Sequence, residues 1–234
     1  MIDFHTHILP GIDDGSRSTE ESAGLLSLLR QQGVDTVVAT PHFNADRITP
    51  REFFRRRTAA QERLSAEDRE APRLLMGAEA AYFDGIGHSD IVEDLCIEGT
   101  RTLLLEMPFT QWTPRMLDEV ENIQYQRDIR VVLAHIERYL SGQSPDICRR
   151  VFSDGLSLQI NADTLLSLRT RRMGLRLIES GRAHILGSDC HGLQYRPPRM
   201  AEAVAYIRKK LGDPAAERMD EAARELLMPE KAMV

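Results

Sequence analysis

Short apolar runs that each end in a histidine or a carboxylate recur along this chain, and that recurrence restricts the folds open to it. The first is Met1-Ile-Asp-Phe-His-Thr-His7. Ile2 and Phe4 suit a buried strand, and the period of two in an extended backbone puts His5 and His7 on one face. Residues 34–40 are rich in β-branched side chains and run into Pro41-His42. The runs 74–79 (ending at Glu79), 101–107 (Glu106), 129–135 (His135) and 183–189 (Asp189, then His191) repeat the arrangement, and 156–161 ends in the amide Asn161.

Helix signals fill the intervals. Ser18 and Glu21 have capping-box spacing ahead of Leu25, Leu26, Leu28 and Leu29, with Gly33 placed to end the helix. Thr49-Pro-Arg-Glu52 opens a second helix to about Ser65. Thr113-Pro114 and Ser144-Pro145 open two more, the latter stopping at Gly155; another ends near Gly181, and the remainder reads as helical. Seven strands alternating with helices predict a parallel α/β fold. In a β/α barrel the strand C-termini share one rim, so residues far apart in sequence meet in one cavity.

With 234 residues and no Pro/Gly/Ser-rich break or internal repeat, residues 1–234 are expected to form one domain, with a short polar tail after Met228. The net charge of −6 and dispersed arginines argue against a nucleic-acid partner. Cys96, Cys148 and Cys190 are odd in number and widely spaced, which predicts a reducing compartment rather than a disulfide framework. No charged and apolar leader precedes the first strand and no run is long enough to span a bilayer. The expectation is a cytoplasmic enzyme, or one held at a membrane by a partner.

One buried carboxylate costs several kcal/mol unless paired or coordinated, so a rim of them has a poor purely structural explanation. Divalent cations remove that cost. His5, His7, His42, His135 and His191 with Asp14, Glu79, Glu106 and Asp189 are too many donors for one ion and suit two or three. The absence of a thiolate favours manganese, zinc or iron. Cations about 3.5–4 Å apart are apparatus for hydrolysing phosphoesters.

The residues carry a resemblance. Met1-Ile-Asp-Phe-His-Thr-His7, Asp13-Asp-Gly15 leading to Ser18-x-Glu-Glu-Ser22, Ala39-Thr-Pro-His42, Gly77-Ala-Glu79, Leu105-Glu-Met-Pro108, Ala134-His-Ile-Glu-Arg-Tyr139, Gln159-Ile-Asn-Ala162 and Gly187-Ser-Asp-Cys-His191 with Arg196-Pro-Pro198 occur in order. Together they resemble the polymerase and histidinol phosphatase (PHP) superfamily. Within it they are similar to the manganese-dependent protein tyrosine phosphatases of bacterial capsule and exopolysaccharide loci, the CpsB/CapC/YwqE type.

The resemblance implies a distorted seven-stranded (β/α)7 barrel of the PHP type holding three manganese ions, with zinc, iron or magnesium as alternatives. It implies His5, His7, Glu79 and Asp189 on one ion, Glu79, Glu106 and His135 on a second, and Asp14, His42 and His191 on the third. Arg138 and Arg196 resemble positions near the phosphate, and with Asp14 they are the catalytic candidates. Departures are Ile136 where the family usually has Pro, Phe43 where it often has a second His, and a shorter segment at 44–47; they bear on the substrate rim.

The implied reaction is in-line attack of a metal-bridging hydroxide on phosphorus without a phosphoenzyme. A tyrosyl oxygen, with a parent pKa near 10, leaves readily without a strong general acid. The implied substrate is a phosphotyrosine protein, the tail of a bacterial tyrosine kinase that governs polysaccharide export, and helix-rich faces leave room for a homo-oligomer. Competing readings are a small-molecule phosphatase of the histidinol-phosphatase type and a non-catalytic metal-binding module.

Other polar residues read as structural. His88 lies in a polar loop and His184 at a strand start, Asp13 reads as a turn residue, and Arg55, Arg56 and Arg57 as a solvated helix face. Asp3 and Asn161 have both supporting and purely local readings. Cys190-x5-Arg196 matches the spacing of cysteine-dependent tyrosine phosphatases. It is discounted because the residues flanking Cys190 serve as ligands, Leu193-Gln-Tyr195 is bulky, and Pro197 and Pro198 have no N–H to offer phosphate.

Overall fold

Among the described residues nine strands form where the apolar runs predict seven. In the computed structural model, which describes residues 1–64, 71–153 and 155–229, they are β1 (Ile2–Thr6), β2 (Thr36–Ala39), β3 (His42–Phe43), β4 (Arg73–Met76), β5 (Glu79–Ala81), β6 (Thr102–Glu106), β7 (Arg130–Leu133), β8 (Ser157–Asn161) and β9 (Ile185–Gly187). All pair in parallel, in a three-stranded sheet ordered β1-β2-β4 and a six-stranded sheet ordered β3-β5-β6-β7-β8-β9. The expected count of seven is therefore corrected: two runs are each cut in half. Pro41 brings no ladder N–H, which parts β2 from β3, and Gly77-Ala78 parts β4 from β5. Gly77 N–H donates to Ala39 O (2.8 Å) and Glu79 N–H to Pro41 O (3.1 Å), so the two broken runs stay bonded through the step.

The sheet curls until β9 lies beside β1. Asp189 N–H donates to His5 O at 2.8 Å and His7 N–H to Cys190 O at 2.9 Å. This is an α/β fold with a curled parallel sheet. Its helices are α1 (Thr19–Gln31), α2 (Pro50–Leu64), α3 (Ile91–Asp94), α4 (Pro114–Arg127), α5 (Pro145–Ser153), α6 (Ala162–Leu166), α7 (Arg171–Glu179), α8 (Met200–Leu211) and α9 (Asp213–Leu226). Ser65 and the end of the expected polar tail fall outside the described residues.

The two expected capping boxes, at α1 and α2, form as half-boxes. Glu21 N–H donates to Ser18 Oγ (3.2 Å), but the Glu21 carboxylate instead accepts from the backbone N–H groups of Arg17 (2.9 Å) and Leu193 (3.4 Å). Arg55 and Arg56 pair with Glu52 on the surface as expected. Arg57 does not: it donates to Gly77 O at 2.8 Å and lies over Phe53 and Phe54, so the solvated reading is wrong for this one of the three.

Ile2, Phe4, Val38, Leu75, Leu104, Val132 and Ile185, drawn from six strands, bury together with Ala223 and Leu226 of α9. Ile2 N–H donates to Asp220, Thr102 Oγ1 to Leu226 O (2.7 Å) and Arg130 to the Glu225 and Leu226 carbonyls. Those are strand-start residues, so α9 spans the N-terminal ends. The C-terminal ends are left to polar groups.

Candidate metal centre

The expected donors gather at one rim: His5 from β1 and His7 just past it, Asp14 from the loop that follows, His42 and Glu79 from the starts of β3 and β5, Glu106 from the end of β6, and His135, Asp189 and His191 from just past β7 and β9. His5 Nδ1 lies 3.2 Å from Gln159 Oε1 and His7 Nδ1 2.8 Å from Asp13 Oδ2. Those oxygens only accept, so both Nδ1 atoms carry a proton, and once each imidazole is neutral its Nε2 is the atom left with a lone pair for a metal. The two Nε2 atoms are 3.1 Å apart, and each is 3.3 Å from Glu79 Oε2. Glu79 Oε2 is buried and makes no well-formed hydrogen bond. Two imidazole nitrogens and a carboxylate oxygen this close together call for positive charge among them, a proton or a cation.

The remaining donors extend this nucleus. His42 reaches Glu79 through Nδ1 (2.9 Å) and Asp14 through Nε2 (3.4 Å), and His191 Nε2 is 3.5 Å from the same Asp14 oxygen. His135 Nε2 lies 2.8 Å from Glu79 and 3.5 Å from Glu106. Donor atoms fall within 4.8 Å of one another in three overlapping groups: His7, Asp14, His42 and His191; His5, His7 and Asp189; His42, Glu79 and Glu106. Compared with the sets the resemblance implies, His7 and His42 are each shared between two groups, while His135 meets Glu79 and Glu106 from one side. Imidazole lone pairs with carboxylates and no thiolate fit divalent cations of hard to borderline character.

Both arginines converge on the centre. Arg138 donates to Asp189 Oδ2 at 2.5 Å, Arg196 pairs with the same oxygen, and Asn161 Nδ2 donates to it at 2.7 Å. Asn161 thus supports a donor rather than serving only the backbone. Arg196 also reaches His191 Nε2 at 3.2 Å.

The field of the site is strongly uneven. Burial opposes charge on His5 and His7, yet the carboxylates around them outweigh it and push both up to about 9. Burial would raise Asp189, but His5, His7 and Arg138 hold it well below the usual carboxylate range, and Glu79 is held low by the surrounding imidazoles despite its burial. Burial and then neighbouring Glu79 push Glu106 up to about 7, while burial, His7 and Arg196 pull His191 down to about 4. Such divergent tendencies within one cavity are characteristic of functional sites.

Backbone geometry is equally committed. Among the described residues, four non-glycines have positive φ, and His135 (30°), Asp189 (53°) and Arg196 (54°) are three of them. Conformations this sparsely populated persist only where surrounding structure enforces them. Gly15 lets the chain double back: a Cβ there would fall 2.1 Å from His7 O.

Two supporting residues escaped sequence reasoning. Asp13, read as a turn residue, closes that turn through Gly15 N–H (3.0 Å) and also accepts from His7 Nδ1 and from His42 N–H (3.0 Å). Burial would raise its carboxyl, but His7 lowers it to about 2. Gln159 accepts from both His5 Nδ1 and His135 N–H (2.7 Å) and donates to Asn161 (2.8 Å). Only its place in a matched segment hinted at this. Asp3 is fully buried and accepts from Ser188 N–H (2.8 Å) and His5 N–H (3.4 Å), so it supports backbone rather than imidazole. His184 accepts from Leu158 N–H, and neither it nor His88 joins a donor group among the described residues. Cys190 is fully buried and its thiol is pushed up by burial and Asp3, the reverse of an activated nucleophile.

Comparison with known proteins agrees with this geometry. Residues 1–227 match the sequence profile of the CpsB/CapC family of capsular polysaccharide synthesis. The chain is 28% identical over 236 residues to the tyrosine-protein phosphatase YwqE of Bacillus subtilis, covering 97% of this chain and 91% of that one. It is 29% identical over 230 residues to the tyrosine-protein phosphatase CpsB of Streptococcus pneumoniae, covering 94% of each. A solved structure from work on these two proteins, described as unique metal-dependent tyrosine phosphatases, superposes with a TM-score of 0.85 at 26% identity over 99% of this chain and 96% of that one. With its profile matched over residues 1–227, the chain belongs to the CpsB/CapC family.

Proposed function

We propose that this chain is a metal-dependent protein tyrosine phosphatase. The observation that carries the reading is the meeting of the His5 and His7 Nε2 atoms at 3.1 Å over the buried Glu79 carboxylate. The donor set is large enough for three ions, and manganese is the ion proposed. When bound, such ions activate water and neutralise charge on phosphoryl oxygens.

The chain's own groups do the rest. Arg138 and Arg196, gathered on Asp189, present planar guanidinium forks to the phosphoryl oxygens and fix phosphorus for in-line attack. Asp189, itself held by Asn161, keeps those forks in place. Asp14, 71% exposed, stands at the outer edge between His42 and His191, where incoming phosphate first meets the donors. The tyrosyl oxygen leaves as a weakly basic aryloxide, so no strong acid is required of the rim.

The proposed substrate is the phosphorylated tail of a bacterial tyrosine kinase controlling capsule or exopolysaccharide synthesis. Residues 1–234 are proposed to act as one domain in the cytoplasm, with homo-oligomerisation open to direct measurement. No helix among the described residues is long and apolar enough to cross a membrane.

The test is turnover of a phosphotyrosine peptide beside histidinol phosphate, with metal content from elemental analysis, for wild type and His42→Ala. Manganese-dependent peptide turnover, lost in EDTA and impaired in His42→Ala, is expected. A higher kcat/KM for histidinol phosphate would assign the small-molecule activity instead, and metal-loaded protein inert toward both would leave a binding module.

A further inference from the structure

The loop after β6 carries an exposed aromatic ring that none of the centre's chemistry accounts for. Phe109 is 66% exposed, three residues beyond Glu106, and its ring lies 15° from parallel to the His135 imidazole at 6.5 Å. It also packs on Tyr139 at 4.8 Å, and Tyr139 packs in turn on buried Trp112 at 5.3 Å. A single exposed phenylalanine is ordinary on a protein surface. This one is held from both sides. Trp112 Nε1–H donates to Pro108 O (3.0 Å), Gln143 Nε2–H donates to Thr110 O (2.9 Å), and Gln143 Oε1 accepts from Trp112 N–H (2.8 Å). Backbone immediately before and after Phe109 is thereby pinned, and the ring is presented to solvent beside a centre donor rather than folded into the core.

We infer that Phe109 is a specificity-determining residue that stacks on the aromatic ring of an aryl phosphate bound at the centre. The inference rests on the phosphatase reading and deepens it. His135, the ring beside Phe109, is 3.5 Å or less from Glu79 and Glu106, so phosphate at those donors places its substituent next to Phe109. A phenyl ring bonded through the ester oxygen lies one ring-width from phosphorus, where it meets the Phe109 face or edge; a serine or threonine ester offers no such surface. Aromatic pairs with centroids about 4.5–7 Å apart gain attraction beyond area burial, equivalent to about threefold to tenfold in affinity.

The experiment measures binding of phenylphosphonate and ethylphosphonate to manganese-loaded full-length protein by titration calorimetry, for wild type, Phe109→Ala, Phe109→Leu and Phe109→Tyr. Expected is a phenyl-over-ethyl affinity ratio that falls about threefold to tenfold in Phe109→Ala and Phe109→Leu and is kept in Phe109→Tyr. An unchanged ratio in Phe109→Ala, or a ratio that Leu restores as fully as Tyr, overturns the inference; circular dichroism identifies any variant that fails to fold, and the remaining pair still decides. Wild-type protein that binds phenylphosphonate selectively but never cleaves a phosphotyrosine peptide would instead remove the phosphatase reading.

Discussion

Asp13 touches the proposed metal centre only through others, which makes it a sharper probe than any of the candidate ligands. Its carboxylate fixes the His7 tautomer and the His42 backbone at once. Removing such a support typically costs about 10–100-fold in metal affinity, and Asp13→Asn is expected to do so with the fold intact. Competition with a fluorescent chelator measures it; wild-type affinity would refute the role. Glu137 makes a different prediction. Burial, its chief influence, pushes this carboxyl from 4.5 up to about 7, so the folded protein keeps a proton that the unfolded chain releases. Its contribution to stability is complete below pH 4.5 and is lost as pH rises through 7. Glu137→Gln mimics the protonated form, so its melting temperature relative to wild type should climb between pH 5 and pH 8; a constant difference would sink the assignment. The nine candidate ligands could be proposed from the sequence because eight stand at or just past the end of an apolar run and Asp14 lies in the turn after the first. Asp13 and Gln159 were not, since a turn aspartate and a strand glutamine look the same whether or not an imidazole waits beside them.

Pairing between whole strands governs the next level. β9 approaches β1 so closely that a Cβ on Gly187 would lie 2.7 Å from His5 Cβ and 3.0 Å from Gln159 Nε2. Gly187→Ala should therefore displace both a donor and its support. Overpacking of this kind typically costs about 1–3 kcal/mol. Denaturant titration should find that loss together with weaker manganese binding; loss of stability with undiminished binding would mean that the strands separate without disturbing His5. The order of strands and helices could be read from apolar periodicity and caps. That two runs would break into separate ladders could not, although Pro41 and Gly77 were visible, because the outcome depends on which neighbours take up the hydrogen bonds at the step. Phe109 left no pattern at all: a lone aromatic after a proline carries no period, and its placement is set by bonds from Gln143 and Trp112.

For the molecule as a whole, cations that bind only the folded chain must raise its stability by mass action, about 2.7 kcal/mol for each independent ion at a hundred times its dissociation constant. Melting in EDTA and then in excess manganese should differ by several degrees, and His42→Ala should reduce the gap. An identical melting temperature in both would show that the folded chain does not prefer the ion. The broad class of fold and the gathering of the rim were evident from sequence because helix and strand signals alternate without interruption. The curl itself is completed by bonds between residues about 180 positions apart, Asp189 with His5 and Cys190 with His7. A growing chain thus makes His5 and His7 about 180 residues ahead of Asp189 and Cys190 and must carry them unfinished until β9 has arrived. Nascent or C-terminally shortened chains should accordingly be poor at capturing manganese, and maturation of the centre becomes a late event in the life of each molecule.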